Sequence, residues 1–173
     1  MEVGAGTGCH SKYLNKNGFD TFSIDTSPGA IDYIKSQNIP CQNIPLLTYK
    51  NECFDTILIL MNGLGLAGKL NQVSDFLLHA KSLLNEDGII LADSSDIRYL
   101  YEDYDGGTWI DLNSPYPGEM EFQMEYKNHK SDWFPWVYID YDTLEKEALK
   151  VGLKSTKIME NENFHYLVKL ETI

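Results

Sequence analysis

The residues best suited to chemistry stand at the very start of the sequence, as Glu2-Val3-Gly4-Ala5-Gly6-Thr7-Gly8. Glycines spaced G-x-G-x-G between a strand end and a helix start make a turn that a ligand can approach to backbone distance, because no Cβ stands in the way. The helix N-terminus behind such a turn offers N–H groups that have no partner inside the helix. A dinucleotide-binding turn carries G-x-G-x-x-G. Here Cys9 stands at the third glycine position, and an acid, Glu2, lies two places ahead of Gly4. A carboxylate there repels a pyrophosphate and suits a ligand that carries an ammonium and a sulfonium group. Taken alone, a plain structural turn explains the glycines equally well. The second piece is Asp25, 21 residues after Gly4, at the end of the next expected strand. A carboxylate there can accept both hydroxyls of a ribose; its plain alternative is a loop or helix-cap aspartate. The pair is far more specific than either part.

The elements that must position these groups alternate strand and helix through residue 98. Glu2–Val3 reads as the tail of a strand, Cys9–Asn17 as a helix closed by Gly18, and Thr21–Ile24 as a short β-branched and aromatic strand. Ser27 caps a helix with Pro28 at its first position, and Ala30, Ile31 and Ile34 form its inward stripe. Ile39–Gln42 is a third strand. Thr56–Met61 is a continuous apolar run, the pattern of a strand buried on both faces. Val73–Leu84 is an amphipathic helix, Asn85–Gly88 a turn and Ile89–Ala92 a fifth strand. This alternation predicts an α/β, doubly wound, Rossmann-like and mostly parallel sheet. Beyond it, Met120–Tyr126 and Trp133–Ile139 predict an inserted β-hairpin around a loop at Asn128–Asp132. Asp142–Val151 reads as a helix capped by Asp140 or Asp142 and closed by Gly152. Leu153–Met159 and Phe164–Leu170 read as a last hairpin.

Composition narrows the function. The 173 residues fit one domain, expected over 1–173, with an aromatic-rich insertion over 97–141. The net charge is −12, with 11 acids against 7 bases over residues 1–98 and 15 against 7 over 99–173. Nucleic-acid binding draws on basic groups at phosphates, so no nucleic-acid partner is expected; the plain meaning of the charge is solubility. No apolar run approaches the ~20 residues of a membrane span, so no membrane partner is expected. The opening residues lack the charged start and apolar core of a secretory signal. Three unpatterned cysteines, Cys9, Cys41 and Cys53, fit a reducing compartment and no metal site. The expected location is cytoplasmic.

In order, E-V-G-A-G-T-G, F-S-I-D-T-S-P, F-D-T-I-L-I-L-M-N-G and L-L-N-E-D-G-I-I-L-A-D resemble class I S-adenosylmethionine-dependent methyltransferases. The resemblance covers residues 1 to about 96, fades through the aromatic segment and returns over the last 35 residues. It implies about seven strands, the last antiparallel. It implies S-adenosyl-L-methionine as cofactor, with Gly4, Ala5, Gly6 and Gly8 in the loop under its methionine part and Glu2 helping to hold that part. It also implies Asp25 on the ribose hydroxyls and Thr26 near the adenine. The family often has an acid against the adenine amine; here that position falls near Asn43. Met61, Asn62 and Gly63 end the fourth strand, where the family's groups face the donor methyl. The family also has a helix and more of the first strand ahead of Glu2, so this chain is expected to lack them and to bind cofactor weakly by itself.

Methyl transfer from a sulfonium is an in-line displacement governed by positioning and exclusion of water, with a base needed only where the acceptor must lose a proton. Asn62, His10 and Asp93 are candidate polar groups near the methyl; His10 reads more simply as a surface histidine and Asp93 as a cap on the turn after strand five. Residues 99–141 hold 12 of the chain's 21 aromatics. Tyr99, Tyr101 and Trp109 are expected at the acceptor, and Trp133 and Trp136 in the hairpin, facing a partner subunit in a homodimer. The plain alternative is that these rings only pack the hairpin on the sheet. With Glu102, Asp103, Asp105 and Asp111 nearby, a cationic or amine acceptor is expected. The expected function is methyl transfer to a small-molecule acceptor. The alternatives are a non-catalytic nucleoside-binding domain of the same fold and an NAD-dependent oxidoreductase, the latter disfavoured by Cys9.

Overall fold

A computed structural model of the chain describes residues 1–101, 105, 107 and 116–173. The strands among these residues are β1 (Glu2–Val3), β2 (Ser23–Asp25), β3 (Cys41–Asn43), β4 (Phe54–Ile59), β5 (Leu84–Ser95), β6 (Glu119–Phe122), β7 (Glu125–Tyr126), β8 (His129–Lys130), β9 (Phe134–Val137), β10 (Leu153–Glu160) and β11 (His165–Thr172). The α-helices are α1 (Cys9–Lys16), α2 (Pro28–Ser36), α3 (Leu70–Ser82) and α4 (Tyr141–Lys150). Seven strands form one sheet in the order β10-β11-β5-β4-β1-β2-β3. Neighbours from β3 to β5 run parallel, and β11 runs antiparallel to both β5 and β10. The doubly wound sheet with an antiparallel last strand is thus present. Strand order reverses between β1 and β4, which opens a crevice at their carboxyl ends.

The elements follow from local chemistry where the chain is self-contained. Ser27 Oγ accepts the Ala30 N–H at 3.4 Å and Pro28 opens α2; Gly18 follows α1 at φ +85°, a left-handed stop that glycine adopts without strain. Where neighbours decide, boundaries move from their expected places. The second and third strands lie at 23–25 and 41–43, not 21–24 and 39–42. α3 begins at Leu70 rather than Val73, because Glu119 Oε1 on β6 accepts the Leu70 N–H at 2.9 Å. It ends at Ser82, since Leu84 already pairs with Phe54. The expected turn at 85–88 is a bulge inside β5, with Ile89 pairing to Thr56 and Asp87 at φ +60°. β4 covers 54–59, not 56–61, and buries Ile57 and Ile59 fully while Thr56 and Leu58 are half-covered, so one face rather than both is sealed.

One core joins Ile57, Ile59, Ile90, Val168 and Leu170 of the sheet to Val73, Phe76, Leu77 and Ala80 of α3 and Leu144 and Ala148 of α4. A smaller cluster, Ala5, Ile31, Ile34 and Ile39, seats α2. The inserted hairpin is β6 against β9, a sheet of its own, and β7–β8 forms a short ribbon where an open loop was expected. Trp136 of β9 lies against Gly65, leaving no room for a side chain there. It packs on the segment that follows β4 and is half-buried; Trp133 is exposed. α4 is capped by Asp140, whose Oδ1 accepts the Thr143 N–H at 3.0 Å. The last hairpin spans 153–160 and 165–172, with Phe164 in its turn at φ +57°.

Candidate functional site

The glycine loop leaves β1 through three left-handed residues, Gly4, Gly6 and Gly8, at φ +64°, +53° and +68°. Gly4 and Gly8 are also sterically confined, because an added Cβ would sit 3.0 Å from Leu66 Cδ1 and 3.0 Å from Ile34 Cγ1 respectively. At Gly6 an added Cβ would meet nothing within 4 Å. The space over Gly6 is therefore open, and a ligand can enter it down to the backbone.

Glu2 is 5% exposed, and its carboxylate is turned to α1. Oε2 accepts the Ser11 N–H at 2.9 Å, and Oε1 lies 2.8 Å from His10 Nδ1. Gly8 caps α1 without any side-chain bond, so Glu2 supplies the missing cap from the adjacent strand. Glu2 thus braces the loop from beneath, and His10 is tied to it. Ala5 turns its methyl into the α2 cluster and donates its N–H to Ile24 O at 3.1 Å.

Asp25, at the end of β2, faces the loop. Its Oδ2 accepts the Gly6 N–H at 2.8 Å and its Oδ1 accepts the Ser27 N–H at 2.7 Å. An ionised carboxylate offers about four acceptor positions, so about two remain for a diol. Thr26 follows it, exposed. Asn43 pairs with Asp25 in the β2–β3 register and donates its amide to the Asp25 carbonyl at 2.9 Å, clamping the two strand ends together.

At the end of β4 two consecutive non-glycine residues are left-handed, Met61 at φ +66° and Asn62 at φ +57°. This conformation costs an L-residue about 1 to 2 kcal/mol. Asp93, 6% exposed on β5, holds it in place. Its carboxylate accepts the N–H groups of Met61 at 3.1 Å and Gly63 at 3.2 Å. Asn62 Oδ1 accepts from Ser95 Oγ at 2.8 Å, and Met61 is 78% exposed. The expected cap on the turn after β5 is thus a clamp on the β4 loop. Sequence reading missed His165, whose Nε2 lies 3.1 Å from Asp93 Oδ2. Only the β5–β11 register, which sets His165 opposite Ser95, could have revealed it.

Tyr99 stacks on Phe164, ring centroids 6.3 Å apart, beside His165. Tyr101 donates its hydroxyl to Pro117 O at 2.8 Å. Trp109, with Glu102, Asp103 and Asp111, lies outside the described residues; Asp105 is exposed. Nearby, Tyr116 donates its hydroxyl to Asp140 Oδ2 at 2.7 Å. Burial pushes the Tyr116 phenol up. Burial also pushes the Asp140 carboxyl up, but its bonds from Tyr116 and Thr143 win and hold it below the usual carboxylate range. Among the described residues no cluster of His, Cys, Asp and Glu could hold a metal ion, and no helix is long and apolar enough to cross a membrane.

These groups form a continuous arc across the strand ends. Asp25 bonds Gly6, Gly4 abuts Leu66 of the segment after β4, and Asp93 joins the β4 loop to His165. An open glycine cradle lies beside a carboxylate that keeps acceptor positions for a diol. Fold and site together define a doubly wound, Rossmann-like α/β domain with an open glycine loop after its first strand.

Comparison with known proteins names the class. The profile of the methyltransferase-domain family matches residues 1–92. A SAM-dependent methyltransferase from Bacteroides fragilis, solved in complex with S-adenosyl-L-homocysteine, is 39% identical with a TM-score of 0.91, over 99% of this chain and 71% of that one. Two more distant structures share the fold. A S-adenosylmethionine-dependent methyltransferase from Clostridium acetobutylicum is 12% identical with a TM-score of 0.73, over 99% and 82% of the two chains. CalS10, an amino pentose methyltransferase from Micromonospora echinaspora, is 9% identical with a TM-score of 0.67, over the same shares. A sequence search of curated proteins gave no match. The chain belongs to the class I S-adenosylmethionine-dependent methyltransferases, enzymes whose methyl donor is S-adenosylmethionine.

Proposed function

We propose that this enzyme methylates a small-molecule acceptor bound at the carboxyl ends of β4 and β5 and the amino end of β11. In this reading the cofactor lies over Gly4–Gly8, with its ribose on Asp25. The observation that carries it is the pairing of Asp25 Oδ2 with the Gly6 N–H at 2.8 Å beneath an open space. One carboxylate both shapes the cradle and keeps acceptor positions for two hydroxyls. Bound S-adenosylmethionine supplies an already activated methyl group, so the chain's work is to position and to exclude water. Asp93 fixes the β4 loop against which the reacting groups would lie, and the β6–β9 hairpin covers the segment after β4 through Trp136. The net charge of −12 supports a small acceptor over a nucleic acid. Tyr99 and Phe164 give the acceptor an aromatic wall, suited to an amine.

Calorimetry with S-adenosylhomocysteine and with NAD tests the cofactor half: the first binds and the second does not. S-adenosylhomocysteine formation from S-adenosylmethionine with aliphatic amines, amino sugars, phenols and transfer RNA then tests the acceptor half. Turnover with RNA and with none of the small molecules would refute it.

A further inference from the structure

We propose that His165, held by Asp93, is the base that takes the proton from the methyl acceptor; this rests on the cofactor reading above. The carboxylate of Asp93 stands 3.1 Å from His165 Nε2 and also bonds the N–H groups of Met61 and Gly63. One buried group therefore ties the histidine to the end of β4. An ionised carboxylate only accepts, so Nε2 carries the ring proton and Nδ1 keeps its lone pair. Among the described residues nothing bonds Nδ1. The side chain is 35% exposed, reachable by a ligand yet partly sheltered. Its neighbours do not compete for it. Asp96 is paired with Arg98, Glu160 with Lys157, and Glu162 in the turn ahead of it is exposed. Phe164, the residue before His165 in the chain, stacks on Tyr99 with ring centroids 6.3 Å apart. The arrangement repeats the logic of a carboxylate that fixes a histidine's tautomer and stabilises its imidazolium.

The acceptor's lone pair forms the bond to the methyl carbon, and the C–S electron pair stays on sulfur. The acceptor N–H or O–H proton moves to Nδ1, and the imidazolium charge is met by Asp93. A mere clip between β5 and β11 would need the Asp93–His165 bond but not an accessible Nδ1 without a partner among the described residues.

The test needs no known acceptor. The full chain is incubated with an aziridine analogue of S-adenosylmethionine, whose ring nitrogen stands in place of sulfur and whose ring carbons stand in place of the methyl. A nearby lone pair opens the ring, forming an N–C bond while the ring electron pair remains on the nucleoside nitrogen, which takes a proton from water. Peptide mass spectrometry locates the adduct. His165 is expected to carry it. In His165→Gln that adduct disappears while affinity for S-adenosylhomocysteine stays within about twofold, and Asp93→Asn labels at least tenfold more slowly. Because Asp93 also holds the β4 loop, the tautomer is read separately in wild type by two-bond 1H–15N correlation, with the proton expected on Nε2. The proposal is overturned by an analogue that competes with S-adenosylhomocysteine yet leaves His165 unlabelled, by wild-type labelling in Asp93→Asn, or by the proton on Nδ1. Failure to bind S-adenosylhomocysteine at all would instead strike the cofactor reading, and this proposal with it.

Discussion

Gly6→Ala separates what the fold requires from what the ligand requires. Gly6 stands at φ +53°, where an L-residue costs about 1 to 2 kcal/mol. Alanine recovers about 0.4 to 1 kcal/mol by narrowing the unfolded ensemble. Beyond its own chain neighbours, the new Cβ meets nothing within 4 Å, so no packing clash is added. The net is about 1 kcal/mol, which for a chain of this size lowers Tm by roughly 2 to 4 °C. Gly8→Ala carries the same strain and also presses on Ile34 Cγ1 at 3.0 Å, so its Tm falls further. Binding reverses the order of importance. The methyl at Gly6 occupies the cradle, and S-adenosylhomocysteine affinity is expected to fall at least tenfold, about 1.4 kcal/mol; Gly6→Val abolishes binding. Thermal melts and calorimetry on the same samples decide it. Unchanged affinity in Gly6→Ala would refute the assignment of that space to the cofactor.

Asp25→Ala is expected to weaken cofactor binding by about 1.5 to 3 kcal/mol, the scale of charge-assisted hydrogen bonds. Asp25→Asn, which keeps one acceptor oxygen for Gly6, loses less; equal losses in calorimetry would count against a role in shaping the loop. Asp140→Ala removes the α4 cap and costs about 1 kcal/mol at neutral pH. The folded Asp140 carboxyl lies below its usual range because its hydrogen bonds outweigh burial. Its stabilisation is therefore complete above the unfolded value of about 3.9 and is lost as pH falls through the lower folded value. Urea midpoints of wild type and Asp140→Ala should converge only in acid below about pH 4; convergence already at neutral pH would contradict this.

How far the sequence could be read depended on whether the deciding contacts were local. Ser27-Pro28 opens α2 where expected because a cap acts three residues away, and the glycine loop sits between β1 and α1 because three positive φ angles are written into Gly4, Gly6 and Gly8. The α3 start was not readable, since its cap is Glu119, on another element. Glu2 was legible as a special acid but not as a brace for α1, because its partners are fixed only once β1 and the helix pack. Met61 carries no sign of its left-handed backbone, unlike Asn62; Asp93, more than thirty positions on, holds it. His165 and Asp93 stand 72 positions apart and meet only through an antiparallel register that periodicity cannot supply.

We place the cofactor over Gly4–Gly8 with its ribose on Asp25. A crystal structure of the full chain with S-adenosylhomocysteine decides the matter. Both ribose hydroxyls are expected within hydrogen-bond distance of the Asp25 carboxylate, with the amino-acid tail above Gly6. A nucleoside seated in the cavity of about 510 Å³ lined by Lys69, Leu70, Ser74 and Glu147, with Asp25 bonded only to Gly6 and Ser27, would contradict it.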